Sequence, residues 1–187
     1  LFTDAIDNSA GVDCSDHEVN IKILLSGLVA GGDMTNKQRD TLLASMTDDV
    51  GRLVLSDNYQ QTEAISLEAA AGHSLLNTHA QLIRSLEARG ALDRVIEFLP
   101  DEKNLAERSQ LRLGLTTPEI SVLLAYSKIA LKETILASTL PDASELQQLL
   151  VEYFPPALVA ACSAQLPSHP LKREIVTTQL VNRLVNR

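Results

Sequence analysis

Apolar residues recur at helical spacing along almost the whole chain, and this pattern restricts the fold more than any other feature. In the first long segment they occupy positions i, i+3, i+4 and i+7, which are Ile21, Leu24, Leu25 and Leu28. No segment alternates apolar and polar residues for more than a few positions, as a half-buried strand would. Aromatic residues make up only 3% of the chain, so the core must be aliphatic, and such a composition favours helices. We therefore predict an all-α fold, an irregular bundle of roughly nine helices.

Capping and turn residues predict where several of these helices begin and end. The polar pair at 57–58 suggests a break, and residues 92–99 read as a short helix halted by proline. Gly114 is expected to end the next helix as its C-cap. Thr117, followed by proline and glutamate, predicts the start of the longest helix, and Ser168 is expected to cap the last one.

The charge balance bears on which partners the chain can have. Sixteen basic residues against twenty-four acidic ones give a net charge of −8. Such a surface repels phosphate backbones and anionic lipid, so we expect neither nucleic acid nor membrane as a partner. The longest unbroken apolar run, 157–162, is far too short to span a bilayer. We expect a cytoplasmic protein.

Few side chains outside the N-terminal segment suggest chemistry. Cys14 and Cys162 have no CxxC spacing, and we interpret them as free thiols in a reducing compartment. His73 and His79 are six residues apart and so do not share a helix face, and we expect no metal site. Lys128 is expected to be a solvated lysine near a core tyrosine.

The segment 4–20 is the most informative stretch of the sequence. It is polar, contains glycine, and predicts an extended N-terminal loop that runs into the first turn of a helix. Ser15 and Glu18 have the spacing of a capping box, with His17 expected to be a neutral capping or surface histidine. Because a helix N-terminus attracts anions, Ser15 either caps the helix only or also forms part of an anion site.

The same segment resembles glutamate dehydrogenases. The run Asn8-Ser-Ala-Gly-Val-Asp-Cys-Ser-Asp-His-Glu18 is similar to their motif Asn-Ala-Gly-Gly-Val-x-x-Ser-x-x-Glu, with Ala10 in place of the first glycine of the pair. The likeness to the very large bacterial NAD-specific members covers essentially the whole chain. It continues through 46–50, 54–62, 92–100, 114–119, 124–128, 153–155 and 169–175.

This resemblance implies roles for three residues and a division of the chain. Asn8 would lie against the nicotinamide end of NAD, while Val12 and Ser15 would line the pocket for the substrate side-chain carboxylate. Residues 1–30 would be the tail of the catalytic dehydrogenase domain, and residues 31–187 a C-terminal helical domain. The chain would be an excised fragment, with residues 1–14 weakly anchored because their neighbouring domain is missing.

The resemblance also implies what the fragment lacks. The family's acid–base lysines and aspartate lie upstream, and no Gly-x-Gly-x-x-Gly turn is present, so we expect no catalytic residue here and no tight NAD binding. The parent would oxidise L-glutamate to 2-oxoglutarate and ammonium while it reduces NAD. The expected partners are the upstream catalytic domain and further copies of the enzyme in a homo-oligomer.

Three roles are open for the helical domain itself. It can be structural, packing on the catalytic domain or building the oligomer. It can be a regulatory module that binds an effector. It can also be a stand-alone helical interaction domain, although such a domain has no reason to keep Asn8, Val12 and Ser15 together.

Overall fold

Residues 1–186 are described by a computed structural model, and every regular element among them is helical. The all-α prediction is confirmed. Nine α-helices of seven or more residues follow a single helical turn, and four short 3-10 helices join some of them. The α-helices are α1 (Asp4–Asp7), α2 (Ser9–Gly31), α3 (Asn36–Ser45), α4 (Thr47–Ala71), α5 (Leu76–Ala88), α6 (Glu102–Gln110), α7 (Thr117–Leu136), α8 (Gln147–Tyr153), α9 (Pro156–Cys162) and α10 (Lys172–Val185).

Two apolar cores fill the bundle. The first core lies among α4, α5, α6 and α7 and contains Ile65 and Ile83, both fully buried. The second core joins α2 to α8, α9 and α10 and contains Leu25 and Leu158, which are also fully buried. Helix α4 contributes to both cores, and it therefore holds the two halves of the bundle together.

The N-terminal segment is helical, so the prediction of an extended loop is wrong. Helix α2 begins at Ser9, and a turn of helix precedes it. Ile6 is only 5% exposed and packs in the first core, so the segment is also better anchored than expected. The polar residues that suggested a loop include Ser9 and Asp13, which form hydrogen bonds with α4. Polarity here reflects contacts between helices rather than solvation.

Helix α4 runs without interruption through 57–58, where a break was predicted. The side chain of Asn58 has partners within this helix and on α2, because its amide donates to the carbonyl of Val54 and its side-chain carbonyl accepts from Ser9. The residue types that suggest a turn are thus used for contacts on one side of a continuous helix.

Gly114 does not cap α6, contrary to the prediction. The chain leaves α6 through Arg112, whose φ of 56° is left-handed, and the N–H of Leu113 donates to the carbonyl of Arg108. This is a Schellman motif with arginine at the position where glycine is usual. Gly114 instead meets the backbone of Gly72, and a Cβ atom at residue 114 would lie 2.6 Å from its carbonyl carbon. Glycine at position 114 therefore allows this segment to approach the backbone of Gly72 closely.

Three further boundaries differ from the sequence prediction. Helix α7 has Thr116 as its N-cap, one residue before Thr117. Ser168 belongs to a short 3-10 helix that ends before α10 begins. Residues 94–98 form a single turn, in which Asp93 accepts from two backbone N–H groups, rather than a helix. No helix within residues 1–186 is long and apolar enough to cross a membrane.

Candidate functional site

The three residues with implied binding roles lie along one exposed face at the start of α2. Asn8 is the N-cap residue, Val12 is 69% exposed, and Ser15 is exposed in the second turn. Side chains four and three residues apart follow one another along a helix, so positions 8, 12 and 15 share a side. We call Asn8, Val12 and Ser15 the site face.

Ser15 is not at a helix N-terminus. Helix α2 begins six residues earlier, at Ser9, so the predicted capping box of Ser15 and Glu18 is wrong. The backbone N–H groups near Ser15 are inside the helix and cannot be offered to an anion. What Ser15 retains is an exposed hydroxyl group on the site face.

A polar layer holds the opposite side of these turns. It consists of six half-buried side chains from three helices, namely Ser9 and Asp13 of α2, Asp57, Asn58 and Gln61 of α4, and Lys128 of α7. Along α4 the layer lies between residues of the second core and residues of the first. It therefore separates the two apolar cores where α2, α4 and α7 meet.

Hydrogen bonds connect the layer from α7 to α2. The Lys128 ammonium donates to the Gln61 carbonyl at 2.8 Å, and the Gln61 amide donates to the Ser9 hydroxyl at 3.3 Å. The Asn58 amide donates to the Asp13 carboxylate at 3.0 Å. Side chains of α4 thus connect Lys128 on α7 to Ser9 and Asp13 on α2.

Two carboxylates and one ammonium make the layer electrostatically strained. Burial raises the pKa of Asp13 and of Asp57. Repulsion from Asp16 raises the pKa of Asp13 further, and repulsion from Asp13 does the same for Asp57. Burial lowers the pKa of Lys128 from 10.5 to about 8, against the attraction of the two aspartates. Desolvation destabilises the charged form of each group, and the attraction between opposite charges offsets part of that free energy.

A second polar group anchors α2 one turn further on. His17 is only 3% exposed and stacks on Tyr153, and burial lowers its pKa, so it is a neutral core histidine rather than the expected surface one. The Asn20 amide donates to the Tyr153 hydroxyl at 2.8 Å. His169 accepts from the N–H of Leu171 at Nδ1, so its Nε2 carries the proton that it donates to the Asn20 carbonyl.

The site face offers three different groups to a ligand. Asn8 has an exposed carboxamide, Val12 an exposed apolar side chain and Ser15 an exposed hydroxyl group. Within residues 1–186 no three His, Cys, Asp or Glu side chains are grouped as metal ligands.

Lys128 is the residue that the sequence interpretation missed. A solvated lysine was expected, whereas the side chain is half-buried in the polar layer. Its spacing could have revealed this, because Lys128 lies four residues after Leu124 and three before Leu131. These positions belong to the apolar stripe of α7, so a lysine there enters the bundle.

Comparison with known proteins matches two separate segments of the chain. Residues 1–68 match the family model described as bacterial NAD-glutamate dehydrogenase, catalytic domain. Residues 112–187 match the model described as glutamate dehydrogenase, C-terminal. The site face and five members of the polar layer fall in the first match, and Lys128 falls in the second.

Similarity to whole relatives extends over nearly all of the chain. It is 53% identical over 98% of its length to a protein named NAD-specific glutamate dehydrogenase from Pseudomonas aeruginosa. It is 50% identical over its full length to the protein of the same name from Mycobacterium tuberculosis. The chain belongs to the family of bacterial NAD-specific glutamate dehydrogenases, and it spans 11% and 12% of the length of these two relatives.

Proposed function

We propose that this chain is the part of an NAD-specific glutamate dehydrogenase that supplies one edge of the substrate site. The parent enzyme would convert L-glutamate, NAD and water to 2-oxoglutarate, ammonium and NADH. The observation that supports this role most directly is the common exposed face of Asn8, Val12 and Ser15 on α2. The names of the relatives support the reaction itself.

Each residue of the site face has a distinct task in this proposal. When bound to the parent, NAD would supply the acceptor for a hydride from the substrate Cα. Asn8 would contact the carboxamide at the nicotinamide end and so help to orient the ring. Val12 packs on the substrate methylene groups, and the Ser15 hydroxyl donates to the side-chain carboxylate. Such contacts would hold the hydride donor and acceptor carbons close together, and positioning of this kind can account for a large part of the lowering of a reaction barrier.

The rest of the chain is mainly structural in this proposal. Residues 1–30 would belong to the catalytic domain and residues 31–187 to a helical domain that packs on it and supports a homo-oligomer in the cytoplasm. One turn carries an apolar surface that fits such packing, since Val95, Ile96 and Phe98 are 83%, 69% and 88% exposed. Most of each relative's length lies outside the segment that matches this chain, so the upstream catalytic domain is the occupant we propose.

The 187-residue chain alone should be inactive and should not bind NAD tightly. It is to be assayed for NADH absorbance with glutamate and NAD, next to the full-length enzyme at equal concentration. Adding the separately expressed catalytic domain provides the matched control, because restored turnover would show that the chain is folded and competent. Glutamate-dependent NADH formation by the isolated chain would contradict the proposal.

The substitution Ser15→Ala in the full-length enzyme tests the site face. Loss of a hydrogen bond to a charged carboxylate costs about 1.5–3 kcal/mol, so kcat/KM for glutamate should fall roughly 10- to 150-fold. The KM for NAD should barely change, since Asn8 makes the cofactor contact. Because Ser15 is exposed inside a helix, where alanine is favoured, the variant should be at least as stable as the parent. Unchanged kinetics for glutamate would remove Ser15 from the site.

A further inference from the structure

We propose that Lys128 is a positioning residue: it holds the first turns of α2 through Gln61 and Ser9, and thereby orients the site face. This inference rests on the proposed function, because it matters for catalysis only if the site face contacts substrate. It assigns to the C-terminal family segment a direct effect on the glutamate site, through side chains rather than through general packing.

The first turns of α2 are attached to α4 by hydrogen bonds of the polar layer. Apolar contacts lie on either side of these turns, with Ile6 in the first core before α2 and Ile21 in the second core beyond the site face. Between them, the side-chain hydrogen bonds from α2 to α4 are made by Ser9 and Asp13. Because hydrogen bonds are directional, they set the rotation of the helix in these turns.

The two anchors, Ser9 and Asp13, are immediate neighbours of site residues. Ser9 follows Asn8 in the chain, and Asp13 follows Val12. A helix is rigid over two turns, so a shift or rotation at the anchored side displaces the exposed side equally. The site face cannot keep its orientation if Ser9 and Asp13 lose theirs.

Lys128 is the cation of the layer, and its attraction favours the charged forms of the Asp13 and Asp57 carboxylates. Without it, the repulsion that Asp13 exerts on Asp57 would no longer be offset, which would weaken the packing of α2 on α4. Gln61 would also lose the donor that fixes its carbonyl, and with it the orientation of the amide that binds Ser9. A single substitution on α7 thus loosens both anchors of α2.

The experiment compares three variants of the full-length enzyme. Lys128→Met removes the cation while keeping much of the side-chain volume, and Gln61→Leu interrupts the same connection without removing a charge. Lys132→Met is the matched control, since Lys132 lies one turn further along α7 and is exposed. Kinetic constants for glutamate and for NAD are measured at a temperature where circular dichroism shows every variant folded.

We expect Lys128→Met and Gln61→Leu each to lower kcat/KM for glutamate about 10-fold, because displacement of a binding group by a fraction of an ångström has effects of this order. The KM for NAD should rise by a smaller factor, about twofold, because Ser9 is next to Asn8 but a single contact of Asn8 contributes little to the binding of a dinucleotide. Lys132→Met should match the parent. Lys128→Arg, which keeps the charge, should recover part of the loss. Combined with Ser15→Ala, Lys128→Met should cost less than the product of the two single effects, since both act on one contact.

The outcomes separate this inference from the proposed function. If Ser15→Ala impairs glutamate use while Lys128→Met and Gln61→Leu lower only thermal stability, the site face stands and the positioning role is overturned. Equal losses for glutamate and NAD, or fully multiplicative effects with Ser15→Ala, would also overturn it. If Ser15→Ala has no kinetic effect, the proposed site face fails and the role of Lys128 fails with it.

Discussion

The lowered pKa of Lys128 makes the stability of this chain depend on pH in the alkaline range, where carboxylates no longer titrate. Unfolding transfers the ammonium group from a half-buried layer, where its pKa is about 8, to water, where it is 10.5. Between these values the unfolded chain holds a proton that the folded chain has lost. The unfolded state therefore binds more protons, and the free energy of unfolding must rise with pH across this window.

The size of this effect follows from the same two values. Each pKa unit corresponds to about 1.4 kcal/mol, so the penalty of burying a charged Lys128 is at most about 3–4 kcal/mol. It is fully present below pH 8, fades between pH 8 and 10.5, and is absent above. Partial exposure of the side chain leaves about 2–3 kcal/mol as the expected change.

Urea unfolding of the parent chain and of Lys128→Met, followed by circular dichroism, measures this change. The quantity of interest is the difference in unfolding free energy between the two proteins at several pH values from 7 to 11. Groups present in both proteins cancel in that difference. It should move in favour of the parent as the pH rises from 8 to 10.5. The same comparison with Lys132→Met should stay within about 0.5 kcal/mol. A flat difference for Lys128, or one that falls with pH, would refute the assignment of a buried, destabilised ammonium.

Three further predictions concern stability and can be checked by urea unfolding. Arg112→Gly should stabilise the chain by about 0.5–1 kcal/mol, because glycine adopts the left-handed backbone of residue 112 without strain. Arg112→Ala is the control, since it removes the same side chain but keeps the Cβ atom, and it should not stabilise. Gly114→Ala should destabilise by about 1–3 kcal/mol, since the new methyl group meets the backbone of Gly72. Tyr153→Phe should cost about 1–3 kcal/mol, because the buried amide of Asn20 loses its acceptor.

The class of fold could be predicted from the sequence because it depends on local periodicity. Leu24, Leu25 and Leu28 show the helical spacing, and the structure buries all three. Helix ends were less predictable because several depend on tertiary contacts. Gly114 has the residue type of a C-cap, yet its close approach to Gly72 decides its position, and no local pattern shows which two segments will meet.

The geometry of the candidate site was not predicted, for a related reason. The structure places Asn8, Val12 and Ser15 on one helix face, whereas polarity suggested a loop in front of Ser15. The polar residues of this segment satisfy partners on α4 that are about fifty positions away in the chain. A sequence read locally assigns such residues to solvent, and Lys128 was misassigned for the same reason.

A polar layer between two apolar cores has a physical consequence that continuous apolar packing would not have. Replacing buried charges by apolar side chains often stabilises a protein, so the layer is hard to explain as a device for stability. Apolar packing tolerates rotation of a helix, whereas hydrogen bonds from Gln61 to Ser9 and from Asn58 to Asp13 do not. A shift of α2 by one residue would rotate its side chains by about 100° and turn the site face away from its present direction. The layer therefore favours one rotation of α2 among several of similar apolar burial. In the function that we propose, this rotation directs Asn8, Val12 and Ser15 towards the substrate.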